Sequence, residues 1–165
     1  MTDKVKNILT VNPDEGQKLM IAGGNYRIIV SGKETGGTFA VIEMSIPPGA
    51  GPNPHSHASF EESFYVLEGE INFKSESGNY VAKENAFISI PKGGMVHGFK
   101  NLTNNPAKLL CTVIPAGLDE FFQEVSDFIE IAKIKASYSQ IEIKENLALI
   151  SEKFGQKLFD EDYLD

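Results

Sequence analysis

From about residue 20 to residue 115, apolar positions come in short runs rich in Val, Ile, Phe and Tyr, broken by Gly, Pro, Asn and Asp. No run shows the three-to-four-residue spacing of a helix, and several alternate apolar with polar as a half-buried strand does. The pattern predicts strands at Tyr26–Val30, Thr38–Ile46, Ser63–Leu67, Glu70–Lys74, Tyr80–Lys83, Ala86–Ile90 and Ala107–Ile114. Glu68-Gly69 reads as a tight hairpin turn and Ser75–Asn79 as a longer one. After Pro115-Ala116-Gly117 the pattern changes. Phe121, Val125, Phe128, Ile129 and Ala132 share one helical face, and Ile143, Leu147, Ile150 and Phe154 form a second stripe. Ser139 and Glu142 stand at capping-box spacing ahead of that second stripe, and Gly155 stands where a helix would end. The expectation is an all-β barrel or sandwich over 1–115 and a helical extension over 116–165, packed on the barrel or on a partner subunit.

Composition sharpens the boundary. Thirteen of the 15 glycines and all eight prolines precede residue 116. With 15 Lys+Arg against 23 Asp+Glu the formal charge is −8, which opposes binding to nucleic acid or to an anionic membrane. Cys111 is the single cysteine, so an internal disulfide is impossible and a reducing cytoplasm is the expected compartment. The Met1–Asn7 segment has no apolar stretch of signal-peptide length behind it, and no apolar run approaches a membrane span. Cys111 itself sits in Leu109–Val113 and reads as a small core residue.

The three histidines make up the chemistry-bearing inventory. His55 and His57 form a His-x-His pair after the Pro/Gly-rich stretch 47–54, Glu62 follows five positions later, and His97 ends the segment that begins at Pro91. On a strand, residues two apart point to one face, so the pair can converge on one ion at the roughly 2.0–2.2 Å that nitrogen ligands require. A bend through Ala58-Ser59-Phe60 would let a glutamate of the next strand face back toward them. Glu61 and Glu62 are both available, and neighbours on a strand face opposite ways, so only one can do so.

Gly49-x5-His55-x-His57-x4-Glu62-x6-Gly69 resembles the first motif of the cupin superfamily, and Pro91-x-Gly93 through His97-x3-Asn101 resembles the second. The six-residue gap to Gly69 selects Glu62 over Glu61. Two positions depart from the family pattern. Asn85 stands where the family has Gly, and three residues rather than two separate Gly93 from His97. Asn tolerates positive φ, so the turn at Asn85 is expected to form; the extra residue lengthens the loop before His97.

The resemblance implies a double-stranded β-helix, or jelly-roll barrel, with two C-terminal α-helices. It also implies one divalent transition metal (Fe, Mn, Ni, Co, Cu or Zn) held by His55, His57, Glu62 and His97. Such a donor set leaves two neighbouring positions open on an octahedral ion. The chain is similar to small quercetin-dioxygenase-like cupins. The function implied is a metal-dependent dioxygenase or oxidoreductase acting on a small oxygenated molecule, aromatic ones included, with Glu62 doubling as general base and Phe60, Phe64, Phe73 and Phe99 lining the pocket. The alternatives are a redox-neutral metal enzyme (isomerase, decarboxylase or hydrolase) and a non-catalytic binding or sensing barrel. A small-molecule substrate and a homodimer are the expected partners.

Overall fold

A computed structural model of the chain describes residues 7–21, 23–135 and 138–165; most of the Met1–Asn7 segment lies outside them. Eleven strands and two helices follow in the order β1 (Gln17–Ile21), β2 (Gly24–Val30), β3 (Ala40–Ile46), β4 (His55–His57), β5 (Glu61–Glu68), β6 (Glu70–Ser75), β7 (Gly78–Lys83), β8 (Phe87–Ile90), β9 (His97–Lys100), β10 (Ala107–Ile114), α1 (Leu118–Lys135), α2 (Gln140–Lys153) and β11 (Gln156–Leu158). A six-stranded sheet runs β1-β2-β3-β10-β5-β8 and a five-stranded sheet runs β11-β4-β9-β6-β7. All pairings are antiparallel.

The alternation read from the sequence is realised most cleanly at the centre of the larger sheet. Ala40, Ile42, Met44 and Ile46 of β3, and Ala107, Leu109, Cys111 and Val113 of β10, are all buried, while their neighbours are not. They meet Ile71, Phe73 and Phe99 of the smaller sheet in one continuous core. Each of the larger ones (Ile, Leu, Met, Val, Phe) taken out of water contributes roughly 1.5–3 kcal/mol. No described helix is long and apolar enough to cross a membrane.

Two turns differ from the sequence expectation. Glu68-Gly69 is not a hairpin: β5 pairs with β10 and β8, while β6 pairs with β7 and β9, so the chain crosses there from one sheet to the other. The β6–β7 hairpin is tighter than expected, with Ser75 opposite Gly78 across a two-residue turn. Asn85 adopts φ 70°, the left-handed conformation that its place in the pattern required.

The helices fold back on the barrel. α1 lies against β1 and β3, and the Phe122 ring meets Tyr26 edge-on at 5.1 Å. Its buried residues are Leu118, Asp119, Phe122, Ser126 and Ala132, with Phe121 and Val125 half-buried beside them. The expected stripe is thus rotated: Phe128 is half-buried and packs on Tyr138 at 5.6 Å rather than on the barrel. The rotation is anchored by Asp119, whose carboxylate accepts hydrogen bonds from Gly32 N at 2.8 Å and Gly117 N at 3.1 Å. Asp119→Ala would leave a buried N–H unpaired and remove charged acceptors. It is expected to cost about 3 kcal/mol, measurable by urea denaturation. A loss below about 0.5 kcal/mol would show that the anchor does not hold α1 in place.

α2 begins with the capping box read from the sequence, Ser139 accepting from Glu142 N and the Glu142 carboxylate accepting from Ser139 N. Beyond it the chain does not leave the barrel: β11 adds to the smaller sheet alongside β4. The last residues continue along that sheet, with Phe159 N donating to Pro54 O and an ion pair between Lys74 and Asp165.

Candidate metal centre

The four residues singled out by spacing meet between the two sheets. β4 and β9 are neighbours, with His55 directly opposite His97, and His57 lies two positions along β4. Ring centroids are 4.4 Å apart for His55–His97, 4.8 Å for His57–His97 and 6.0 Å for His55–His57. The facing sheet supplies Glu62 from β5. All four are buried, and their candidate donor atoms lie within 4.8 Å of one another.

Of the two glutamates, Glu61 is exposed, within reach of the Ser89 hydroxyl at 3.4 Å, and Glu62 is 4% exposed. Strand phase explains the choice. Glu62, Phe64 and Val66 occupy the buried positions of β5, so Glu62 takes the place of an apolar residue on the inward face. That alternation was present in the sequence and distinguishes Glu62 from Glu61 without reference to any motif.

Two local devices deliver the histidines. A Cβ on Gly51 would come within 2.0 Å of Phe99 O, so only glycine lets the loop before β4 lie against β9. In the longer loop before His97, Gly93 and Gly94 both take positive φ (118° and 86°), and Gly93 N donates to Ala58 O at 3.2 Å. The additional residue is absorbed in that pair of left-handed turns, and His97 still reaches the cluster.

The hydrogen bonds set the tautomers. His55 Nδ1 lies 2.9 Å from Asn53 O, His57 Nδ1 3.1 Å from Phe60 O, and His97 Nδ1 2.9 Å from Met95 O. A carbonyl oxygen only accepts, so each Nδ1 carries the hydrogen and a neutral ring is left with a bare Nε2. Phe60 fixes His57 twice, since its ring also stacks on the imidazole at 3.9 Å and 14°.

Glu62 Oε2 then stands 3.3 Å from His57 Nε2 and 3.6 Å from His97 Nε2. These are lone pairs facing lone pairs, and only a positive charge, a proton or a metal ion, makes that contact favourable. His97 Nε2 is otherwise buried without a hydrogen-bond partner. The donor set, three imidazole nitrogens and one carboxylate, suits a divalent transition metal. The residues therefore fit a metal ion, and the second nitrogen of every ring is already tied to the backbone as metal-binding histidines require.

The protonation states agree. Burial, then the neighbouring His97, depress His55 to about 4, outweighing the attraction of Glu62. Burial alone would raise the Glu62 carboxyl, but a positive charge shared with the His57 and His97 nitrogens beside it outweighs burial and holds the group below the usual carboxylate range. Cys111 Sγ lies 3.4 Å from Glu62 Oε1; burial, then the Glu62 charge, push the thiol up, so it stays an S–H donor to the carboxylate. The residue read as plain core is thus core that also steadies Glu62.

Three of the four cluster residues, His55, Glu62 and His97, form the floor of a cavity of about 400 Å³, with His57 behind them. Tyr26, Phe64 and Phe99 line it from the barrel, and Leu118, Phe122 and Leu147 from the two helices. Of the four phenylalanines expected there, Phe64 and Phe99 line the cavity. Phe73 is not among its lining residues; it packs against both of those rings at 5.3 and 5.2 Å. Phe60 stacks on His57 and lines a smaller neighbouring cavity instead. Sequence reasoning missed the helical wall and Gln156, which also lines the main cavity; helical periodicity shows that a face is apolar, not what it covers.

Residues 42–113 match the family model described as Cupin domain. The chain is similar to quercetin 2,3-dioxygenase of Bacillus subtilis, 26% identical over 113 residues that are 68% of this chain and 33% of that protein. It spans 33 to 60% of the length of the curated relatives it matches. Among solved structures, a predicted oxalate decarboxylase from Thermotoga maritima superposes with a TM-score of 0.59 at 22% identity, covering 65% of this chain and 99% of that one. A sugar phosphate isomerase of the cupin superfamily from Silicibacter pomeroyi gives 0.57 at 21%, covering 64% and 75%. At such identities these two likenesses show the fold, a jelly-roll of two antiparallel sheets. Motif spacing, topology and family model agree over residues 42–113, the stretch that matches a cupin domain.

Proposed function

We propose that the protein is a metal-dependent dioxygenase or related oxidoreductase acting on a small oxygenated molecule, with the metal held by His55, His57, Glu62 and His97. The observation that carries this reading is the position of the cluster: a three-histidine, one-carboxylate set whose His55, Glu62 and His97 line an apolar cavity of about 400 Å³. The likeness to a quercetin 2,3-dioxygenase supports it. A bound ion supplies Lewis acidity and, when redox-active, the electrons for reaction with dioxygen.

The chain's own residues do the rest. The walls from Phe64, Phe99 and Phe122 exclude water and hold an apolar substrate against the floor. Glu62 is the one carboxylate lining the cavity among the described residues. Buried and ionised, it is placed to take a proton from an acidic hydroxyl, such as a phenol or an enol, brought against the floor. Cys111 hydrogen-bonds the Glu62 oxygen Oε1 and leaves Oε2 for that proton.

Oxygen uptake on a catechol and flavonol panel tests the reading, using chelated protein reloaded in turn with Fe, Mn, Ni, Co, Cu or Zn. Uptake with a redox-active ion and none with Zn is the expected result. Turnover under strict anaerobiosis would replace it with redox-neutral chemistry, and tight binding without turnover in either atmosphere would leave a binding barrel.

A homodimer is part of the proposal, supported by Tyr80, Val81 and Phe87, which stay exposed on the edge strands β7 and β8. Light scattering is expected to give twice the 18.1 kDa chain mass, and a monomer at micromolar concentration would contradict it.

A further inference from the structure

We propose that Gln156, carried back to the barrel by the C-terminal segment, donates the hydrogen bond that positions the substrate, and that this substrate is an uncharged, largely apolar ring compound bearing an oxygen acceptor. The inference rests on the small-molecule reading above and adds a residue and a substrate class to it.

Strand register places Gln156. β11 pairs with β4 so that Gln156 stands directly opposite His57 and Leu158 opposite His55. Directly opposed residues of an antiparallel pair point to the same face, so Gln156 shares the inward face of the two histidines. It is 8% exposed, yet its amide nitrogen Nε2 is buried with no hydrogen-bond partner. Buried amide donors are almost always satisfied, and an exception on the wall of a cavity points to a partner that arrives with a ligand. His97 Nε2 is another such unpartnered buried atom, and its residue lines the same cavity. The cavity therefore offers an acceptor array at its floor, suited to a cation, and an amide donor on the side wall, suited to a carbonyl, hydroxyl or phenolate oxygen.

The walls define the rest of the ligand. Leu118, Phe122 and Val125 of α1 and Leu147 of α2 close the side away from the sheets. Among the described residues no lysine or arginine lines the cavity, and Glu62 is the one charged lining residue. An anionic substrate such as a phosphorylated sugar or a dicarboxylate would find no counter-charge from the protein, and burying it there would be unfavourable. An aromatic or linked-ring molecule with a polar edge matches both the apolar walls and the unpartnered Gln156 donor.

The zinc-loaded full-length protein is the appropriate sample, because binding is then read without oxygen chemistry. Titration with 3-hydroxyflavone, followed by its absorbance, is expected to show saturable binding. Gln156→Met, which keeps length and loses the donor, should weaken it about tenfold or more, with one zinc per chain retained and the melting temperature unchanged. Leu147→Trp, which fills the cavity from the half-buried face of α2, should abolish binding without touching Gln156. Glucose 6-phosphate and succinate should bind far more weakly than the flavone. Unchanged affinity in Gln156→Met, tighter binding of either anion, or no flavone binding to the parent protein would overturn the inference. Gln156-dependent binding accompanied by no oxygen uptake with any metal would overturn the dioxygenase reading and leave this one standing.

Discussion

Replacing His57 by alanine is expected to lower affinity for a divalent transition metal by more than about 100-fold, whereas Glu61→Ala should leave it within about twofold. Altering groups that merely orient a ligand typically costs 10- to 100-fold, and His57 is itself placed as a ligand. It is 2% exposed, held by the Phe60 carbonyl and ring, and 3.3 Å from Glu62. Glu61 is one residue from Glu62, carries the same charge and faces solvent. The comparison therefore separates a coordinated site from a general attraction of cations to an acidic chain. Calorimetric titration of chelated protein with Zn²⁺ measures both variants. Equal losses would overturn the choice of Glu62 and the strand phase behind it.

Metal-free protein is expected to lose stability as pH falls from about 6.5 to 4. His55 is depressed to about 4 in the folded chain, by burial first and His97 second, and returns to its ordinary value of 6.5 on unfolding. Between those values the unfolded state binds a proton that the folded state refuses, so stability rises with pH across the window and falls on acidification. At 1.36 kcal/mol per unit the loss approaches roughly 3 kcal/mol. Glu62, held below the usual carboxylate range, acts in the same direction below about pH 4.5, since the unfolded chain then takes up the proton first. A bound ion excludes protons from the imidazoles, so loaded protein should resist acid until the metal leaves. Urea denaturation of chelated and loaded samples at several pH values measures this. The slope of the chelated protein should flatten in His55→Asn, and a flat profile for the unsubstituted chain would contradict the buried, neutral histidine.

The sequence pattern revealed the barrel where strands are long enough to alternate. β3 and β10 show four buried positions each, and their phase is plain in Ala40–Ile46 and Ala107–Ile114. β4, β9 and β11 have three or four residues, too few for a period of two to emerge. In β4 both inward positions, and in β9 one of the two, are also filled by histidine rather than by apolar residues, so the site weakened the pattern that would have marked its own strands. The corner at Glu68-Gly69 looked like a hairpin because local turn chemistry does not record which strand is the partner. That information lies in β10, some 40 positions away.

The metal cluster was legible because its residues are scarce and their spacing is tight. Gln156 was not: nearly one hundred positions separate it from His57, and its inward orientation depends on the β4–β11 pairing. Cys111 shows the same limit. Its apolar surroundings in Leu109–Val113 mark it as core, and only the pairing of β10 with β5 places its thiol beside Glu62.

An anomalous difference map from a crystal of the full chain loaded with a single transition metal tests the central claim most directly. The account predicts one peak per chain between β4, β9 and β5, about 2.0–2.2 Å from Nε2 of His55, His57 and His97, with Glu62 at the same ion and every Nδ1 still on its backbone carbonyl. A peak bound through Nδ1, a peak elsewhere on the acidic surface, or imidazoles turned away from one another would contradict it.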